Sequence, residues 1–171
     1  LRLADAAISA GTKRFIFVSS VKAGGITSTG LAMDETSHAT PDGIYGETKR
    51  RAEQALLSLS QSGQLDVTVV RPALVYGPEV KGNLALMLRG IQAGWFPPLP
   101  ETYNQRSMIH VDDLVEALLY VASNPHAQGE IFIATDGQNY STRRIYDELR
   151  SSLGKSPTTF AVPKFGFDIL G

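Results

Sequence analysis

The sequence predicts an α/β protein: the closing part of a doubly wound parallel sheet, followed by a smaller mixed α/β lobe. Three observations predict it. The runs "RFIFVSS" (residues 14–20) and "LDVTVVRP" (65–72) are short, apolar and rich in branched or aromatic residues, as strands buried on both faces are. A helically spaced segment precedes each run, and that alternation signals crossover helices between parallel strands. After Pro78 the rhythm changes to helices interrupted by a proline-rich connection, which marks a second lobe.

In chain order, Leu1, Leu3, Ala4, Ala7 and Ile8 fall near helical spacing, and Gly11 stops that helix. The first strand follows. Residues 21–43 are rich in Gly, Thr, Ser, Asp and Pro and are expected to form one long functional loop. A helix is expected from Ile44, with Ala52, Ala55, Leu56 and Leu59 as its apolar stripe, Arg50, Arg51, Glu53 and Gln54 mostly off it, and Gly63 as its stop. The second strand ends at Pro72. Further helices are expected over 83–94 and 110–125, the latter closed by Asn124-Pro125. A strand is expected over 129–135, and a helix over 141–154 with Ser141 as N-cap and Gly154 as stop. The division is placed at residue 78. Residues 1–78 form the sheet part and 79–171 mainly the second lobe, with 110–135 able to pack back on the sheet.

Composition narrows the function. The 171 residues are 43% hydrophobic and 19% charged, which is ordinary globular usage. A net charge of −1 gives no electrostatic case for nucleic acid or an anionic membrane. With no cysteine, disulfides and thiolate chemistry are excluded, and a reducing, cytoplasmic setting is the default expectation. No apolar run reaches membrane-spanning length. The three histidines (His38, His110, His126) lack metal-ligand spacing, so no metal is expected. The chain starts at Leu1 inside a helical pattern, which is read as a fragment of a longer protein.

The chemistry concentrates in "DGIYGETKRRAEQAL" (42–56). Tyr45 and Lys49 stand at i and i+4 and project from one helix face. A phenol is a poor base at neutral pH, but an ammonium held near one favours its ionised form. Such a tyrosine takes a proton from an alcohol or returns one to a ketone. Ser19 and Ser20 end the first strand, and ligands of open α/β sheets bind outside the carboxyl ends of strands. A serine there is placed to hydrogen-bond the reacting oxygen. "RPALVYGP" (71–78) ends the second strand at the same rim.

In this order and spacing, "FVSS", "YGETK" and "RPALVYGP" resemble the extended short-chain dehydrogenase/reductase family, the NAD-dependent epimerase/dehydratases. "RSMIHVDDLVEAL" (106–118) and "GEIFIATDGQNYST" (129–142) resemble the family's later segments. Within it the chain is most similar to nucleotide-sugar 4-epimerases and 4-ketoreductases of bacterial polysaccharide biosynthesis. The resemblance implies a Rossmann-like sheet and NAD or NADP as cofactor. By position, Tyr45 matches the acid/base, Lys49 its ribose-binding partner and Ser20 the substrate-bonding serine. Ser19 lies beside the cofactor, and Pro72 and Tyr76 fall in the segment near the nicotinamide. Asn83 and Arg106 match positions that hold the diphosphate of a UDP-sugar. A helix start and a planar guanidinium suit that anion. His110 is read as structural, and Asp112 and Asp113 as helix-start carboxylates. By analogy with the family, the Tyr45 helix is expected to form a homodimer face.

Two departures stand out. The family's glycine-rich dinucleotide turn is missing. "GGITSTG" (24–30) follows a strand without leading into a helix, so it is not that turn. Leu74 stands where UDP-galactose epimerases carry asparagine. Three readings follow: a 4-epimerase, a 4-keto-sugar reductase using the same residues, and a non-catalytic scaffold of the same fold. Lacking the adenosine half, the isolated 171-residue chain is expected to bind nicotinamide cofactor weakly, with no micromolar affinity in a calorimetric titration.

Overall fold

The computed structural model describes residues 1–25, 33–37, 39–101 and 103–156. Most of "GGITSTG", His38 and the closing "KFGFDILG" lie outside the described residues. The chain divides into two compact units, residues 1–73 with 109–136, and residues 74–108 with 137–171.

The first unit is built on three parallel strands in the order β1 (Arg14–Val18), β2 (Asp66–Pro72), β5 (Ile131–Ala134). β1 runs beside β2 from Arg14 opposite Asp66 to Val18 opposite Val70. β2 runs beside β5 from Val69 opposite Ile131 to Pro72 opposite Ala134. The central strand is sealed on both faces: Val67, Val69 and Val70 are at most 1% exposed. A strand covered on each side favours apolar residues at most positions, which is why it reads as a nearly continuous run; its buried Thr68 donates to the Ala127 carbonyl (2.7 Å). Helix α1 (Arg2–Ser9) and helix α3 (Gly43–Gln61) contribute Ala4 and Leu56 to the core that Leu65, Val67 and Val69 complete. Arg14 ties the far end together. It grips Asp66 (2.7 Å) across the β1–β2 pairing and donates to the carbonyls of Val121 (2.8 Å) and Asn124 at the end of α5 (Val111–Ser123).

Two expectations for this unit are corrected. Residues 21–43 are not all loop, because a one-turn helix, α2 (Val21–Gly24), follows Ser20 directly. Ser20 caps it by accepting from the Lys22 N–H (3.3 Å), and Gly25, at φ +99°, ends it. Four residues are too few to leave a periodic signature. Glu53 is not on a solvated face either. It is 1% exposed and forms a two-pronged pair with Arg71 of β2: Nε to Oε1 at 2.9 Å and Nη2 to Oε2 at 2.7 Å. The buried line of α3 is Gly46, Glu53, Leu56 and Ser60.

β3 (Leu74–Tyr76) opens the second unit, where the Leu74 N–H donates to the Ser107 carbonyl (3.3 Å); β4 (Met108–His110) follows Ser107 and carries the chain back into the first unit. Both strands are only three residues long, and sequence reading missed them. Helix α4 (Gly82–Ala93) and helix α6 (Thr142–Ser152) pack through Leu84, Met108 and Ile145 at one end and Ile91, Leu99 and Tyr146 at the other. Gly90 is required here: a Cβ would sit 2.9 Å from the Phe96 and Trp95 side chains. Ser141 caps α6 through the Arg144 N–H (3.0 Å), as the sequence predicts. α4 opens at Lys81 rather than at Asn83, which lies inside the first turn.

The Glu53–Arg71 pair sets a stability test. Glu53→Ala would leave a buried guanidinium uncompensated and is expected to cost about 3–5 kcal/mol in a urea titration. Replacing both residues by leucine is expected to cost less than the single change.

Candidate active site

The serine, tyrosine and lysine singled out above all belong to the first unit, at the carboxyl end of β1. Ser19 continues that strand, donating its N–H to the Val70 carbonyl (2.7 Å). Ser20 follows as the cap of α2. Tyr45 stands in the first turn of α3 and is 55% exposed. Lys49, one turn on, places its ammonium 5.8 Å from the centre of the Tyr45 ring and 4.9 Å from that of Phe17. The same ammonium donates to the Val18 carbonyl (3.0 Å). That bond fixes the geometry. It pins the lysine to the last residue of β1, next to both serines, while the phenol beside it stays open to solvent.

The packing of α2 on α3 brings the serine turn to the tyrosine. Gly46, the residue after Tyr45, lies so close to α2 that a Cβ would sit 2.4 Å from the Lys22 carbonyl oxygen. The Lys22 carbonyl accepts from the Asp42 N–H (2.9 Å), and the Lys22 ammonium pairs with the Asp42 carboxylate (3.0 Å). Arg50 closes the contact from above, donating to the carbonyls of Ala23 (2.6 Å) and Gly24 (3.0 Å).

Among the described residues five buried side-chain atoms lack a hydrogen-bond partner, and one of them, the Ser19 hydroxyl, stands at this end of β1. The Ser19 hydroxyl is shut from solvent and has no hydrogen-bond partner among the described residues. Buried polar groups are ordinarily paired. The hydroxyl stands one residue beyond the Val18 carbonyl that Lys49 grips, and a lysine with donors to spare suits the ribose hydroxyls of a dinucleotide. The described residues hold no group of three or more metal-ligating side chains.

The other predicted residues fall elsewhere. Pro72 is buried at the end of β2, opposite Ala134. Tyr76, Asn83 and Arg106 belong to the second unit. Tyr76 packs half-buried on the Leu84–Met108–Ile145 cluster. Asn83 and Arg106 are exposed and no hydrogen bond joins them. Arg106 instead pairs with Tyr140 in a short antiparallel bridge and donates through Nε to the Thr142 hydroxyl (3.2 Å), which also receives Asn104 (2.7 Å). A cavity of about 550 Å3 in this unit is walled by Tyr76, Leu84, Leu88, Met108, Ile145 and Leu149, with Arg144 and Glu148 at its edge; neither Asn83 nor Arg106 lines it. His110 has a structural place, accepting from the Asp112 N–H (3.3 Å) to cap α5, whose first turn holds Asp112 and Asp113.

This arrangement agrees with what the chain is similar to. Residues 1–134 match the model of the NAD dependent epimerase/dehydratase family. The chain belongs to that family. It is 34% identical over 175 residues to a UDP-glucose 4-epimerase of Vibrio cholerae, spanning all of this chain and 53% of that protein. It is 28% identical over 155 residues to the N-acetyl-alpha-D-glucosaminyl-diphospho-ditrans,octacis-undecaprenol 4-epimerase of Escherichia coli O157:H7, covering 90% of this chain and 46% of the relative. The crystal structure of UDP-glucose 4-epimerase from Thermotoga maritima, with UDP-glucose, superposes with a TM-score of 0.74 at 25% identity, covering 92% of this chain and 55% of the other. The chain thus spans about half the length of the relatives it matches. Family membership brings the Rossmann fold, in keeping with the parallel β1–β2–β5 sheet. Among the described residues no helix is long and apolar enough to cross a membrane.

What sequence reading missed at this site is Gly46 and Arg50. Both lie inside the quoted motif, but nothing in their spacing says that a short helix waits opposite. Gly46→Ala is expected to cost about 1–3 kcal/mol in thermal unfolding, because a backbone carbonyl rather than a flexible side chain must give way.

Proposed function

We propose that the protein to which this chain belongs is a nucleotide-sugar 4-epimerase working with NAD or NADP, and that Tyr45 is its acid/base. The observation that carries the reading is the Lys49 ammonium, held at 3.0 Å by the Val18 carbonyl and 5.8 Å from the Tyr45 ring. It supports a phenol that works at the end of β1 beside Ser20. Relatives from Vibrio cholerae and Escherichia coli named as 4-epimerases support the reaction class.

In this reading nicotinamide, when bound, would take a hydride from the sugar's C4 and give it back to the opposite face of the 4-keto carbon, so that none is consumed overall. Tyr45 takes the proton from the C4 hydroxyl and later returns one to the 4-keto oxygen. Lys49 stabilises the negative charge that develops on the phenol and holds a ribose hydroxyl. Ser20 donates to the reacting oxygen and orients it, and Ser19 sits against the cofactor. Pro72 and Tyr76 border the nicotinamide. Asn83 and Arg106 take the diphosphate of a UDP-sugar, an exposed guanidinium being suited to two phosphate oxygens at once. The Tyr45-bearing helix serves as a homodimer face; Ile44, 85% exposed next to Tyr45, supports that part.

Tyr45→Phe, assayed in the protein as its source makes it, is expected to lower turnover of a UDP-sugar by at least about 100-fold, the scale of a lost acid/base, while leaving its melting temperature within about 2 °C. An unchanged rate would overturn the reading. Net consumption of reduced nicotinamide with a 4-keto sugar would turn it toward the reductase.

A further inference from the structure

We infer that Arg50 is a positioning residue for Ser20: its guanidinium clamps the carbonyl end of α2 and so fixes the serine-bearing turn against the helix that carries Tyr45 and Lys49. The inference rests on the proposed roles of Ser20 and Tyr45.

The argument starts from the two stripes of α3. Tyr45 and Lys49 form one. Gly46, Arg50 and Glu53, at i, i+4 and i+7, form the next, rotated by one residue. The first stripe meets the end of β1 through the Lys49–Val18 bond. The second meets α2 and β2. Gly46 admits the Lys22 carbonyl, Arg50 takes Ala23, Gly24 and, more distantly, Ala39 (3.4 Å), and Glu53 takes Arg71. Residues 45, 46, 49 and 50 therefore set both halves of the site from one and a half turns of a single helix.

Arg50 is spent in an unusual way. No acidic side chain among the described residues pairs with it. Among the described residues its bonds go to backbone carbonyls, two of them the last carbonyls of α2. A four-residue helix has little stability of its own, since nucleation costs more than one turn returns. A cation on its final carbonyls satisfies groups the helix cannot satisfy and opposes the negative end of its dipole. At the opposite end of α2, Ser20 is the cap: its hydroxyl accepts from Lys22, and its carbonyl accepts from the Ala23 N–H (2.9 Å). The turn that Arg50 holds is thus the turn that orients Ser20. Its length is one helical turn, too short for one end to move without the other.

Two readouts test this. In hydrogen–deuterium exchange, Arg50→Ala is expected to speed exchange at the Ala23 amide by about tenfold or more, while amides in the middle of α3 stay protected. In turnover, assayed in the protein as its source makes it, Arg50→Ala is expected to lower kcat by about tenfold or more, yet by less than about threefold in a Ser20→Ala background, since residues acting through one another are not additive. Arg50→Lys, which keeps a cation near the same carbonyls, is expected to recover part of both effects and covers the case of a poorly folded alanine variant. Equal losses in the two backgrounds, or an unchanged Ala23 amide, would overturn the positioning role while leaving Tyr45 untouched. A Tyr45→Phe variant of full activity would instead remove the reaction on which both rest.

Discussion

The first unit depends on a charge buried inside it. Glu53 and Arg71 meet 2–3% exposed, with two parallel hydrogen bonds between a helix and the central strand. An ion pair in such a place contributes little net stability compared with apolar packing, because both groups lose their water. What it supplies is register. A leucine in place of Glu53 could slide by part of a turn and still be buried. A carboxylate facing a fixed guanidinium cannot, since any other position leaves two charges unpaired in the interior. The rotation of α3 about its axis is set there, and with it the directions in which Tyr45, Gly46, Lys49 and Arg50 leave the helix.

The same constraint explains why so much of the site is held by backbone carbonyls. Val18, Lys22, Ala23 and Gly24 each present a carbonyl to α3 or to the residue just before it. Val18 ends β1, where the ladder stops, and Lys22, Ala23 and Gly24 belong to the one-turn helix α2, too short to satisfy its own carbonyls. The end of a strand followed by a one-turn helix therefore presents several free acceptors, and a helix packed beside them is best supplied with cations. Lys49 and Arg50 answer that need side by side. One takes the strand and faces the phenol, the other takes the turn and faces away. In this arrangement structure and proposed chemistry draw on the same charges.

How much of this was legible beforehand depends on burial. The sheet was, because Val67, Val69 and Val70, covered on both faces, make the run mostly apolar and branched, and Thr68 and Arg71 within it are buried with partners of their own. The Tyr45–Lys49 pair was, since helical spacing alone puts them on one face. Glu53 was not: a glutamate beside two arginines reads as a solvated surface, and only the pairing of Arg71 across β2 makes it internal. α2 was hidden by length, and so were β3 and β4, three residues each. Asn83 was read as opening its helix, whereas Lys81 holds the cap and a glycine at φ +67° makes the entry.

The orphaned Ser19 hydroxyl separates structure from chemistry at this site. The described polar contacts between β1, α2 and α3 are caps, ladders and carbonyl grips, and each has a stability account. A buried hydroxyl with no partner among the described residues stands at a cost of about 1–3 kcal/mol. Alanine would fill the position at lower cost if packing were its purpose. The hydroxyl stands one residue beyond the strand end that Lys49 grips and one before the serine that caps α2. A group that arrives from outside the chain and accepts or donates one hydrogen bond there would offset the penalty. In the proposed reading, that unspent bonding capacity at the end of β1 is where a bound cofactor would be held.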